Sequence, residues 1–226
     1  KAMGFWGAKV PLPHSHFDGE EGLRANLDFL RHHRAAVGPG FPLMVDCYMS
    51  LNAQYAIRLA EAARDIDIYW WEEVLPPDDI ESYRQIKAAH PLLKWTTGEH
   101  EYTRFGFRRL IEERLLDILQ PDVMWVGGMT EVLRIAAHAS AYEIPVVPHG
   151  SGPYSYHFIA TQTQAPLCEY VAASPDGRSI RPVFGDLFVG EELPQNGRLQ
   201  LSDRPGFGME IADRSADAGR AGNTAP

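Results

Sequence analysis

The sequence predicts an α/β fold of repeated βα units, a closed parallel barrel lacking one unit. Three observations predict it. Apolar runs and helix-period segments alternate along most of the chain, and repeated βα alternation implies a parallel sheet. The runs are apolar throughout, so they are buried on both faces. Five of them end in a functional group: Asp46, Glu72, Glu99, Asp122 and His149, spaced 26, 27, 23 and 27 residues apart. One βα unit with its loops takes about 25–35 residues.

The first strand is read at 4–11 (GFWGAKVP) and the first helix at 20–38, where Leu23, Leu27, Leu30 and Val37 share a face before Gly38. A buried strand at 42–49 leads into a helix at 50–65, with Ser50 as a candidate N-cap. The third strand, 66–74, is closed by Pro76-Pro77, and the helix at 78–90 stops at Pro91. Strand 92–101 precedes helix 103–114. Strand 115–120 precedes Gly127-Gly128 and helix 129–143. Strand 144–149, helix 155–164 and a seventh strand at 166–173 complete the pattern.

An open sheet would place groups four strands apart roughly 15–20 Å from one another, with neighbours about 4.8 Å apart. They could not share a site. Dinucleotide sheets carry G-x-G-x-x-G after their first strand, and this chain has none. A barrel brings all C-terminal strand ends to one axis. Eight strands are needed, so one βα unit is expected before Lys1. The barrel is expected over 1–211 and a disordered tail over 212–226, which is polar, Gly/Ala-rich and aperiodic.

Composition narrows the function. The 226 residues are 45% hydrophobic with a net charge of −9. No Lys/Arg run offers a nucleic-acid surface. No apolar stretch approaches the ~18 residues of a membrane span, and the first residues lack a signal-peptide pattern. Cys47 and Cys168 fall in expected strands, which reads as two packed free thiols in a reducing cytoplasm.

Three convergent carboxylates, Asp46, Glu72 and Glu99, repel one another unless a cation neutralises them. An all-oxygen set selects Mg²⁺ or Mn²⁺ over zinc. Glu73 competes with Glu72, because only one of two adjacent strand residues can point inward. Asp122 and His149 end neighbouring strands, where a carboxylate can fix the imidazole tautomer and raise its basicity. Glu169 lies within an apolar run, LCEYV, where a charge calls for a partner or a function.

Asp/Glu/Glu on successive strands, followed by QPDVMWVGGMTE and a His-ended strand, resembles the catalytic barrel of the enolase superfamily, mandelate racemase-like branch. YWWEEVLPPDDIESYR, TTGEHE, VPHGSGPYSYH, RPVFGD and PGFG are similar to acid-sugar dehydratases of the rhamnonate dehydratase type. The resemblance covers about residues 1–210. It implies a TIM-like (β/α)7β barrel beside an N-terminal α+β capping domain, which this chain lacks, and a homo-oligomer. It implies Mg²⁺ on Asp46, Glu72 and Glu99, His149 as general base, Asp122 as its orienting partner and Glu169 stabilising the intermediate. The implied reaction takes the C2 proton of an aldonic acid, L-rhamnonate by resemblance, and gives a 2-keto-3-deoxy acid through an enediolate; the Lys or His base with Mg²⁺ is a general feature of enolase-superfamily sites. Many members carry a Lys-x-Lys second base. Here Lys9 stands alone between Gly7 and Pro11, which fits a one-base dehydration. Lys9 is a candidate partner for the substrate carboxylate or for a carboxylate ligand, and His100 a weaker substrate-binding candidate.

Three other readings compete. His14-x-His16 has the spacing of a zinc amidohydrolase, but later strands offer carboxylates in place of the His that chemistry needs. The chain could be a barrel remnant that only binds or assembles. The substrate could be another sugar acid, such as galactonate, gluconate, mannonate or fuconate.

Overall fold

A computed structural model describes residues 1–150, 152–171, 174 and 177–213. Five parallel strands form one sheet in the order β1 (Ala8–Pro11), β2 (Leu43–Asp46), β3 (Ile68–Glu72), β4 (Trp95–Thr97) and β5 (Ile118–Leu119). The segment 144–149 continues the sheet through parallel bridges Leu119–Val146 and Asp122–His149. Helices alternate with these strands: α1 (Gly19–Val37), α2 (Ala53–Ala62), α3 (Ile80–Ala89), α4 (Thr103–Glu112), α5 (Met129–Ser140) and α6 (Pro153–Thr161). The hairpin β6 (Phe188–Val189) with β7 (Glu210–Ile211) is antiparallel and separate.

Strand alternation gives the sheet two unlike faces. Val45, Trp71, Trp95, Leu119 and Val146 face the helices and pack with Leu30, Leu59, Ile86, Leu110 and Ile135. Met44, Trp70, Ile118 and Val147 form a small cluster on the other face. Two residues further along the same strands come Asp46, Glu72, Gln120 and His149. The inner face is thus an apolar plug with polar groups above it, at the C-terminal strand ends.

The sheet is curled. Lys9 on β1 lies 2.7 Å from Glu169, which follows the 144–149 segment and α6. A flat sheet would hold those elements far apart. Among the described residues, no strand hydrogen-bonds 144–149 back to β1.

Several expectations change. The expected seventh strand is not seen among the described residues: 166–171 carry no regular element and make no ladder with either open edge of the sheet, β1 or 144–149. Cys168 is therefore exposed rather than packed, while Cys47 is buried and both are free. Helix α2 is capped by Asn52, whose side chain accepts from the Tyr55 N–H at 2.8 Å, and not by Ser50. The first strand is confined to Ala8–Pro11. Most of the expected disordered tail, 214–226, lies outside the described residues.

Gly98 sets the end of β4. Its φ is +138°, and a Cβ there would stand 2.7 Å from Phe107 Cε1. Gly98→Ala is expected to destabilise the chain by about 2–4 kcal/mol through backbone strain and overpacking. Thermal unfolding should show Tm lowered by roughly 5–15 °C, and an unchanged Tm would refute this.

Candidate metal and proton-transfer site

Sheet register decides which acid enters the site. Asp46 pairs with Glu72, and Glu72 with Thr96, so these side chains share the inner face. Glu73 leaves the strand with φ +45°. Its buried carboxylate accepts from the Thr97 hydroxyl, from Gly98 N–H at 2.9 Å and from His100 Nδ1 at 3.0 Å. Glu73 is therefore the tie between β3 and the β4 loop, and Glu72 belongs to the cluster. The backbone turn at Gly98 lets Glu99 face inward although the strict alternation ends at Thr97.

One carboxylate oxygen from each of Asp46, Glu72 and Glu99 lies within 4.8 Å of the others. Their residues are 5%, 0% and 8% exposed. Trp70 Nε1 donates to Glu72 Oε2 at 2.8 Å, and Tyr48 N–H donates to Asp46 Oδ1 at 3.0 Å. Glu99 Oε2 is buried without a hydrogen-bond donor; His149 Nε2 lies 3.3 Å away in a geometry that makes no hydrogen bond. A buried carboxylate oxygen is thus left for a cation.

His149 Nδ1 donates to Asp122 Oδ2 at 2.9 Å. Asp122 Oδ1 is itself held by the N–H groups of Met124 and Trp125, at 2.8 and 3.2 Å. This fixes the imidazole with Nε2 toward Glu99. Burial opposes the imidazolium, but the Asp122 hydrogen bond and the charges of Glu169 and Glu99 outweigh it and raise His149 to about 9.

Lys9 sits among the acids. Its ammonium donates to Glu72 Oε1 and lies 2.7 Å from Glu169 Oε1 and 3.7 Å from Asp46 Oδ2. Burial works against that charge, yet Glu72, Glu169 and Asp46 together push Lys9 well above its ordinary value. Burial raises Glu72 to about 7, reinforced by Glu169 and Asp46 and opposed by Lys9. Glu99 is raised by burial, against the pull of His149. Glu169 goes the other way: burial is overcome by Lys9 and His149, and its Oε2 accepts from Gly150 N–H at 3.0 Å. Five carboxylates here face one lysine and one imidazole, so negative charge remains for a cation to neutralise.

The structure thus brings together Asp46, Glu72, Glu99, Asp122, His149, Glu169 and Lys9. His100 also faces the site: its Nδ1 is 3.6 Å from Glu99 Oε1, and its ring stands edge-on to Trp125 at 5.4 Å. Alternation alone would have turned it away. His14 and His16 do not join the cluster; His14 Nδ1 lies 3.6 Å from Asp18, and His16 Nδ1 lies 2.7 Å from the Ser50 carbonyl. Sequence reasoning missed Trp70 and Tyr48. Trp70 stands two residues before Glu72 on the same strand, so strand period was the signal available for it; Tyr48 lies beyond the end of β2 in a left-handed turn, which local pattern does not foretell.

Residues 2–215 match the family described as enolase C-terminal domain-like. An L-rhamnonate dehydratase of Saccharopolyspora erythraea is 47% identical over 212 residues, covering 93% of this chain and 54% of that protein. The crystal structure of L-rhamnonate dehydratase from Gibberella zeae matches with TM-score 0.91 at 60% identity, over 97% of this chain and 56% of that one. A second, of rhamnonate dehydratase from Gibberella zeae complexed with Mg, gives the same TM-score and identity over 97% and 54%. The chain spans about half the length of these relatives. Sequence match and shared fold lead to one assignment: this chain belongs to the enolase C-terminal domain-like family.

Proposed function

We propose that the chain is the catalytic part of a Mg²⁺-dependent sugar-acid dehydratase, a hydro-lyase whose substrate is L-rhamnonate. The observation that carries this is the Asp46/Glu72/Glu99 cluster standing against the Asp122–His149 pair, with Glu99 Oε2 between them. The relatives named L-rhamnonate dehydratase, at 47% and 60% identity, support the substrate. The curl of the sheet supports a (β/α)7β barrel closed by a strand outside this chain. The barrel is read over 1–211, with a capping domain in the remaining length of the full protein.

The donor set fits Mg²⁺: three buried oxygen ligands, one lacking any donor, and no Cys or His among them. Asp46, Glu72 and Glu99 would hold it. Bound there, it would neutralise the acids and stabilise negative charge developing on the substrate carboxylate.

The chain's own residues do the rest. His149 Nε2 takes the C2 proton while Asp122 holds the Nδ1–H tautomer. The electron pair left at C2 expels the C3 hydroxyl, which takes the same proton from the imidazolium and leaves as water. The resulting enol becomes the 2-keto-3-deoxy acid. Glu169 and Gly150 N–H fix the His149 loop, and Glu169 orients Lys9. His100, held by Glu73, stands on the opposite side of Glu99 as a substrate-binding group. A single proton-transfer pair suits dehydration rather than racemisation. No described helix is long and apolar enough to cross a membrane. Two free thiols suit a reducing cytoplasm, and a homo-oligomer goes with the family resemblance.

The test is a panel of aldonic acids incubated with the full-length protein and Mg²⁺, with carbonyl product trapped by semicarbazide. L-rhamnonate should give product, and chelation should stop it. Product from no acid would overturn the reading in favour of a binding module. Product from a different acid would correct the substrate.

A further inference from the structure

Tyr48 and Met49 are consecutive non-glycine residues in the left-handed region, with φ of +49° and +56°. Such backbone is costly for side-chain-bearing residues and persists only where surrounding contacts enforce it. Here Tyr48 N–H bonds to Asp46 Oδ1 at 3.0 Å, Met49 N–H to the Glu73 carbonyl at 2.5 Å, and Ser50 N–H to the Cys47 carbonyl at 2.9 Å. Packing does not explain the strain, because Tyr48 is 57% exposed. What the turn does is place Tyr48 beside the cluster, at the same opening that Lys9, Asp46, His149 and Glu169 line.

From this we infer that Tyr48 is a substrate-binding residue of this site, recognising the hydroxyls of a polyhydroxy acid beyond its C2 position. The inference rests on the sugar-acid reading above and assigns part of its specificity. A phenol suits such recognition, because its hydroxyl both donates and accepts and its ring offers an apolar face to the sugar C–H groups. Lys9, and a cation that the acids beneath would hold, address the carboxylate end of a substrate and leave its distal hydroxyls to the rim.

The test uses the full-length protein with Mg²⁺. Tyr48→Phe should raise KM for L-rhamnonate about tenfold, as one lost hydrogen bond does, and leave kcat nearly unchanged. In a His149→Asn background, which does not turn substrate over, calorimetry should show the same rise in Kd for L-rhamnonate. Glycolate, which has the carboxylate and the adjacent hydroxyl only, should bind unchanged. Tyr48→Gly should weaken L-rhamnonate binding yet raise Tm by about 2–4 °C, because it relieves the left-handed strain. Unchanged Kd for L-rhamnonate, or an equal loss for both acids, would overturn the inference. Wild-type binding that depends on Tyr48, with no turnover, would overturn the dehydratase reading alone. Binding of neither acid by the wild type would overturn both.

Discussion

Replacing His149 with Asn is expected to lower kcat for L-rhamnonate by about 10³–10⁴-fold, the contribution of a positioned general base. Asn keeps a donor for Asp122 and a similar shape, but has no basic nitrogen. Mg²⁺ affinity should stay within a few-fold, since His149 is not one of the three clustered acids. Asp122→Asn acts differently. Its hydrogen bond is a leading cause of the imidazole's rise to about 9, so its loss should move the ascending limb of the kcat/KM profile to lower pH. The effect on stability has a definite sign. A folded value of about 9 above an ordinary 6.5 gives stability fully present below pH 6.5 and lost as pH rises through 9. His149→Asn should remove that slope from the Tm–pH curve. Full turnover by His149→Asn would transfer the base role to another residue.

Mg²⁺ is expected to stabilise the protein, and increasingly so as pH rises. Burial lifts Glu72 from 4.5 to about 7, with Glu169 and Asp46 adding to the effect. The folded carboxyl therefore holds its proton more tightly than the unfolded one. In the metal-free protein, stability should fall as pH rises from about 4.5 to about 7, by on the order of 3 kcal/mol. That corresponds to roughly 6–12 °C in Tm. Glu99 shifts in the same direction and deepens the fall. Metal binds the deprotonated carboxylates and not the unfolded chain, so its stabilisation grows over the same window. Scanning calorimetry with Mg²⁺ and with EDTA, from pH 5 to pH 8, would measure the difference. A Tm gap that is zero, or that shrinks with rising pH, would remove the cluster as a metal site.

Much of this site is legible along the chain because strand period and unit length are local properties. Met44 and Asp46, Trp70 and Glu72, and Val147 and His149 are each two residues apart, so apolar plug and functional rim follow from one alternation. The βα rhythm follows from where apolar runs, caps and glycines fall, and six helices form close to where the periodicity places them.

The α/β class, the parallel sheet and the strand ends that carry chemistry thus follow from residue order. Contacts between distant segments settle the rest. Whether Glu72 or Glu73 enters the cluster depends on the Asp46–Glu72 register and on Glu73 turning to Thr97 and Gly98, which are contacts across strands. Local pattern places Glu169 in a strand, yet it reaches Lys9 from an irregular segment. A 160-residue separation between ion partners leaves no trace in local pattern. The raised Glu72 and His149 likewise come from burial and from charges brought together only by the curl of the sheet. Local periodicity fixes which way a side chain faces; the closing of the sheet fixes what it meets there.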